Sequence, residues 1–241
     1  DVLRKSGAAK VEKKAGRIAA EGITRVASEG NTAVVVEVNS ETDFVAKNAV
    51  FQEFVQDVAD KALKSSVDKA GDGEDVCGIL DMKAELEEKT IVIGEKLSLR
   101  RFEKLTGDCV ASYVHGGGRI GVLVAAKGAS GDAVKEALTN IAMQIAAMNP
   151  LYLDEASVPA EVIAHEKEIL AVQIKEDPKM ASKPEKVIEG IISGKIKKYY
   201  KENCLVDQEF VKNGDFTVGS YIASVAKEIG ASITPVKFIR Y

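Results

Sequence analysis

Few stretches of this chain combine residue types that could do chemistry. His115-Gly116-Gly117-Gly118 sets an imidazole beside a glycine turn, in the manner of an esterase oxyanion loop. That chemistry needs a G-x-S-x-G nucleophile elbow, and the sequence contains none. The same glycines begin Gly116-x-Gly118-x-x-Gly121. A dinucleotide loop requires a helix after that motif, so that a phosphate meets the helix N-terminus. Here the strand-like run Arg119 to Ala126 (RIGVLVAA) follows instead. Gly190 to Lys195 is one spacer short of a phosphate loop, and Ile196 stands where a hydroxyl would bind Mg²⁺. Its context is helical, and a helical backbone cannot cradle phosphate. Cys77, Cys109 and Cys204 form no C-x-x-C pair, and the only histidines are His115 and His165. Free thiols in a reducing compartment are the expectation, with no metal and no cofactor. A hydrolase or nucleotide-binding enzyme built on His115 and Gly116 to Gly118 stands as the alternative function.

The stretch around which the chain is organised is Glu37 to Lys47, EVNSETDFVAK. Ala33 to Val38 (AVVVEV) is rich in β-branched residues and predicts a buried strand. Ser40-x-x-Asp43 has capping-box form and Thr42 is a second candidate cap, so a helix should start here. Phe44 lies on the strand-to-helix turn between Asp43 and Lys47. Its ring either folds back as a staple under the helix or projects toward a pocket on a partner.

The elements that would position this turn follow from periodicity. Gly22 to Ala27, a turn at Ser28 to Asn31 and Thr32 to Val38 read as a hairpin. Phe51, Phe54, Val55, Val58, Ala59, Ala62 and Leu63 form one continuous helical face. A polar loop is expected over Ser65 to Asp75, a charged helix over Ile79 to Lys89, and a strand over Leu97 to Phe102. The pattern then repeats. Cys109 to Val114 and Arg119 to Ala126 are strands around a glycine turn, Ala133 to Met148 is a helix, and Ser232 to Ile239 is a final strand. The fold class is therefore α+β: two similar subdomains, each a small antiparallel sheet backed by helices. Ala160 to Glu176 and Pro184 to Glu202 carry narrow apolar stripes on charged helices, which predicts an inserted antiparallel helical hairpin, a coiled coil. The expected organisation is a linker or domain remnant at 1–18, subdomains at 19–107 and 108–241, and the hairpin at 160–202.

The chain has 241 residues and a formal net charge of -4. That balance argues against a general nucleic-acid or membrane binder. No apolar run approaches the ~18 residues of a spanning helix, and no targeting segment is visible, which points to the bacterial cytoplasm.

EVNSETDFVAK resembles the signature of the elongation factor Ts family, the guanine-nucleotide exchange factors of elongation factor Tu. All eleven positions fit the family pattern, and the similarity runs from Arg4-Lys5-Ser6-Gly7 to Phe238-Ile239-Arg240-Tyr241. The resemblance implies the two-subdomain architecture and the protruding hairpin. It also implies that a small N-terminal helical domain precedes the chain in full-length members. Its implied partner is elongation factor Tu, in a heterodimer or a dimer of heterodimers, with no covalent chemistry. The implied partner-binding residues are Thr42, Asp43, Phe44, Val45 and Lys47, with Ile93 and Gly94 in the first half, His115 in the second, and Lys14. Asp43 and Phe44 would enter the GTPase near its Mg²⁺ and phosphate site.

Overall fold

The β-branched run is the centre of the first sheet and is buried on both faces. In a strand, alternate side chains point to opposite faces, and each face here has its own apolar partner. Val34, Val36 and Val38 join a core cluster with Phe51, Phe54, Val55 and Val58. Ala33 and Val35 join another with Leu105, Leu123, Ala125 and Ile239. A strand covered on both faces reads as a continuous apolar run rather than an alternation.

The computed structural model describes residues 2–241, with side chains described from residue 7 onward. Of the basic opening segment, the side chains of Arg4 and Lys5 therefore lie outside the described residues. The helices are α1 (Val2–Ala15), α2 (Asp43–Ala46), α3 (Ala49–Lys64), α4 (Val76–Ile79), α5 (Lys83–Ile93), α6 (Asp132–Met148), α7 (Ala160–Glu176), α8 (Pro178–Ala181), α9 (Glu185–Asn203) and α10 (Val218–Ile229). The strands are β1 (Glu21–Glu29), β2 (Thr32–Ser40), β3 (Lys69–Ala70), β4 (Ser98–Thr106), β5 (Cys109–His115), β6 (Ile120–Lys127) and β7 (Thr234–Arg240).

The strands form two antiparallel sheets, ordered β1-β2-β4-β3 and β5-β6-β7. In each, a hairpin's second strand pairs with a strand that returns after the helices, which is the repeat seen in the sequence. The chain divides into two compact units. One runs to Ala147 and regains Ser232–Tyr241; the other is Met148–Ala231. Both sheets belong to the first unit, and α3 packs on β1 and β2. In the second unit α7 and α9 pack together, and only Ile174 and Ile196 are buried on them. Among the described residues no helix is long and apolar enough to cross a membrane.

Two local expectations shift. The polar loop over 65–75 contains β3, whose two residues pair with Glu103 and Phe102; so short a strand carries no periodicity to read. The charged helix starts four residues late, at Lys83. Asp75 caps the short α4 through the Gly78 amide at 2.9 Å, and Asp81 takes a left-handed φ of 52° that separates α4 from α5. Gly94 then ends α5 with a φ of 84°, a conformation that glycine adopts without steric cost.

Candidate functional site

The turn after β2 does not use its predicted cap. Ser40 is the last residue of β2, and its hydroxyl donates to the Thr42 carbonyl at 3.0 Å. Thr42 occupies the N-cap position of α2 without capping it through its side chain. Its hydroxyl donates instead to Glu95 Oε1 at 2.7 Å. The long helix begins beyond the motif, where Asn48 Oδ1 accepts from the amides of Val50 (2.8 Å) and Phe51 (3.4 Å).

Within α2, consecutive side chains diverge by about 100°. Val45 and Ala46 pack on the first core cluster, and Phe44 points out. Its ring is 80% exposed, so it is not a staple beneath α3. Asp43 and Lys47 form an exposed ion pair at 3.7 Å, worth a few tenths of a kcal/mol. Ile93 packs against the same core cluster and Gly94 lies exposed at the end of α5.

Glu95 and Lys96, which sequence reasoning missed, tie these pieces together. Glu95 Oε2 accepts from the amides of Glu41 and Thr42, each at 3.0 Å. In return Glu41 Oε1 accepts from the Lys96 amide at 2.6 Å and pairs with Arg17 at 3.4 Å. The Lys96 amide and then the Arg17 guanidinium hold the Glu41 carboxyl below its ordinary range. Lys96 Nζ donates to the carbonyls of Ala15 (2.6 Å), the last residue of α1, and of Arg17 (2.8 Å), just past it. No local pattern announces contacts spanning more than fifty residues.

Asp43 and Lys47 border an open groove of about 870 Å³ that also receives His115, Gly116 to Gly118, Arg119, Glu37, Arg101 and Tyr241. His115 Nδ1 lies 2.9 Å from the Tyr113 hydroxyl. Among the described residues the groove is lined by no serine or cysteine, and its one threonine, Thr24, is spent on the Gly118 carbonyl at 3.0 Å. The glycine turn is a packing device. The amides of Gly118 and Arg119 donate to the His115 carbonyl, so they are not aimed at a ligand. The Gly118 carbonyl accepts from the Thr24 amide at 2.7 Å. A Cβ on Gly118 would come within 2.8 Å of Ile23 Cβ and 2.9 Å of the Thr24 carbonyl oxygen. Glycine is what lets the second sheet's hairpin turn sit against β1. Beside it, burial pushes the Glu37 carboxyl up, but hydrogen bonds from Arg100 (2.9 Å) and Arg101 (2.6 Å) outweigh that and leave it lowered. Arg101 stacks over the Tyr241 ring at 3.9 Å. Lys14 is not brought to this groove; it lines a separate cleft of about 310 Å³ with Val11, Leu86 and Leu97.

Comparison with known proteins gives a consistent picture. The model of the family described as Elongation factor TS matches residues 41–241. The chain is 45% identical over 253 aligned residues to Elongation factor Ts of Clostridioides difficile (strain 630), covering 100% of this chain and 80% of that relative. It is 43% identical over 250 residues to Elongation factor Ts of Clostridium botulinum (strain Okra / Type B1), with the same coverage. To that of Clostridium novyi (strain NT) it is 42% identical over 256 residues, again covering 100% and 80%.

Proposed function

We propose a function from one premise: this chain belongs to the elongation factor Ts family. It is a translation elongation factor that promotes nucleotide exchange on elongation factor Tu, without covalent chemistry of its own. The finer reading is that Phe44 is the wedge. A GTPase holds its nucleotide through Mg²⁺, a phosphate loop and the packing beneath them. A factor that binds a distorted form of that site more tightly than the loaded form shifts the population toward release. Phe44, flanked by Asp43 and Lys47, would enter the GTPase near the Mg²⁺ site. Thr42, Val45, Ile93, Gly94 and His115 would contribute contacts around it, and Lys14 would add a separate one.

The observation that carries this reading is the exposure of Phe44, 80% on a turn whose neighbours are anchored. A side chain this exposed contributes little to its own fold, and it offers about 160 Å² to a partner pocket. The hydrolase alternative has less behind it: among the described residues no serine or cysteine lines the groove beside His115, and the Gly118 and Arg119 amides are spent on the His115 carbonyl. The test is release of a fluorescent GDP analogue from elongation factor Tu. Catalytic amounts of the chain should accelerate release; release unchanged by excess chain would refute the function.

A further inference from the structure

We propose that Glu95 is the positioning residue that holds the Phe44 turn in its binding conformation, a role that rests on the wedge reading above. The α2 turn has four residues, too few to sustain a helix by its own hydrogen bonds. It also lacks a side-chain cap. Its outer end is secured by the packing of Val45 and Ala46 on the core. Its entry is secured chiefly by the Glu95 carboxylate, beside the Ser40 hydroxyl on the Thr42 carbonyl and the Glu41 carboxylate on the Lys96 amide.

Glu95 gathers three donors: the amides of Glu41 and Thr42, both at 3.0 Å, and the Thr42 hydroxyl at 2.7 Å. Hydrogen bonds to an ionised acceptor are shorter and about twice as strong as neutral ones. The tie is reciprocal, since Glu41 accepts the Lys96 amide at 2.6 Å. Residues 41–42 and 95–96 thus exchange carboxylates across the strand end. Glu95 itself is held next to a fixed point, because Ile93 packs on the core and Gly94 terminates α5. The arrangement keeps Phe44 and the Ile93-Gly94 corner in one register, although they are far apart in sequence. It also explains why Thr42 forgoes capping: its hydroxyl is spent on register.

Without the carboxylate, three donors lose their shared acceptor and the turn samples other conformations. A partner then binds only the fraction that is competent, so apparent affinity falls by that fraction. The maximal rate, set by Phe44 once bound, does not. A residue that merely stabilised the fold would instead shift global unfolding.

The test compares the full chain with Glu95→Gln, Glu95→Ala and, as a control on the wedge, Phe44→Ala. For the Glu95 variants, the concentration giving half-maximal GDP release from elongation factor Tu should rise roughly 10- to 100-fold. The maximal rate should hold. Amide hydrogen exchange over 41–47 in the free chain should accelerate by a similar factor while the urea midpoint stays put. The proposal is overturned if both Glu95 variants leave the concentration dependence and local exchange unchanged while Phe44→Ala abolishes release. It is also overturned if Glu95→Gln lowers the urea midpoint without changing local exchange. Full activity in Phe44→Ala would remove the wedge reading itself, and this proposal with it.

Discussion

Replacing Phe44 by alanine separates binding from folding. The ring is 80% exposed, so of the ~200 Å² an aromatic carries, only about 40 Å² is covered in the free chain. At about 25 cal/mol per Å² this is about 1 kcal/mol of folding stability. The fully buried Phe54, at 1% exposure, should by contrast cost ~3–5 kcal/mol when truncated to alanine. If the Phe44 ring enters a pocket on elongation factor Tu, the remaining ~160 Å² is buried there, about 4 kcal/mol by the same coefficient. Truncated aromatic anchors typically cost ~2–4 kcal/mol, a loss of roughly 30- to 1000-fold. Stimulated GDP release and urea unfolding are measured on the same preparation. The expected outcome is a midpoint close to wild type with release reduced by that factor. A large drop in midpoint, with release intact among the folded molecules, would refute the reasoning.

Two further outcomes follow. Replacing Glu166 to Ser193 by a short Gly/Ser linker should leave single-transition, cooperative thermal unfolding, because only Ile174 and Ile196 are buried on α7 and α9; loss of cooperativity would make those helices part of the folding core. The Glu37 carboxyl, lowered from its ordinary 4.5 by Arg100 and Arg101, contributes stability that is fully present above pH 4.5 and is lost as pH falls through its folded value. Glu37→Gln should therefore flatten the acid limb of urea stability below pH 4.5, and an unchanged limb would contradict the assignment.

Much of the fold was legible because its strongest signals are local. The α3 face from Phe51 to Ala62 is periodic, and the same residues are buried. The run AVVVEV announced a buried strand, and its covering on both faces accounts for the missing alternation. The repeat of hairpin, helix and returning strand was visible because each half writes it out. What escaped is tertiary. β3 exists only because an edge of β4 accepts it. Ser40-x-x-Asp43 looked like a cap, but Ser40 stays in the strand and Thr42 gives its hydroxyl to Glu95. The motif marked the turn, and no spacing within it marked the acceptor 53 residues away.

The central claim is that this chain and GDP bind elongation factor Tu at each other's expense. Such coupling is reciprocal: if the chain weakens GDP binding by some factor, GDP must weaken the chain's binding by the same factor. Titration calorimetry of the chain into nucleotide-free and into GDP-saturated elongation factor Tu measures that factor directly. The account predicts markedly tighter binding to the nucleotide-free protein, with a ratio equal to the loss of GDP affinity measured in the presence of the chain. Equal affinity in the two titrations would contradict it.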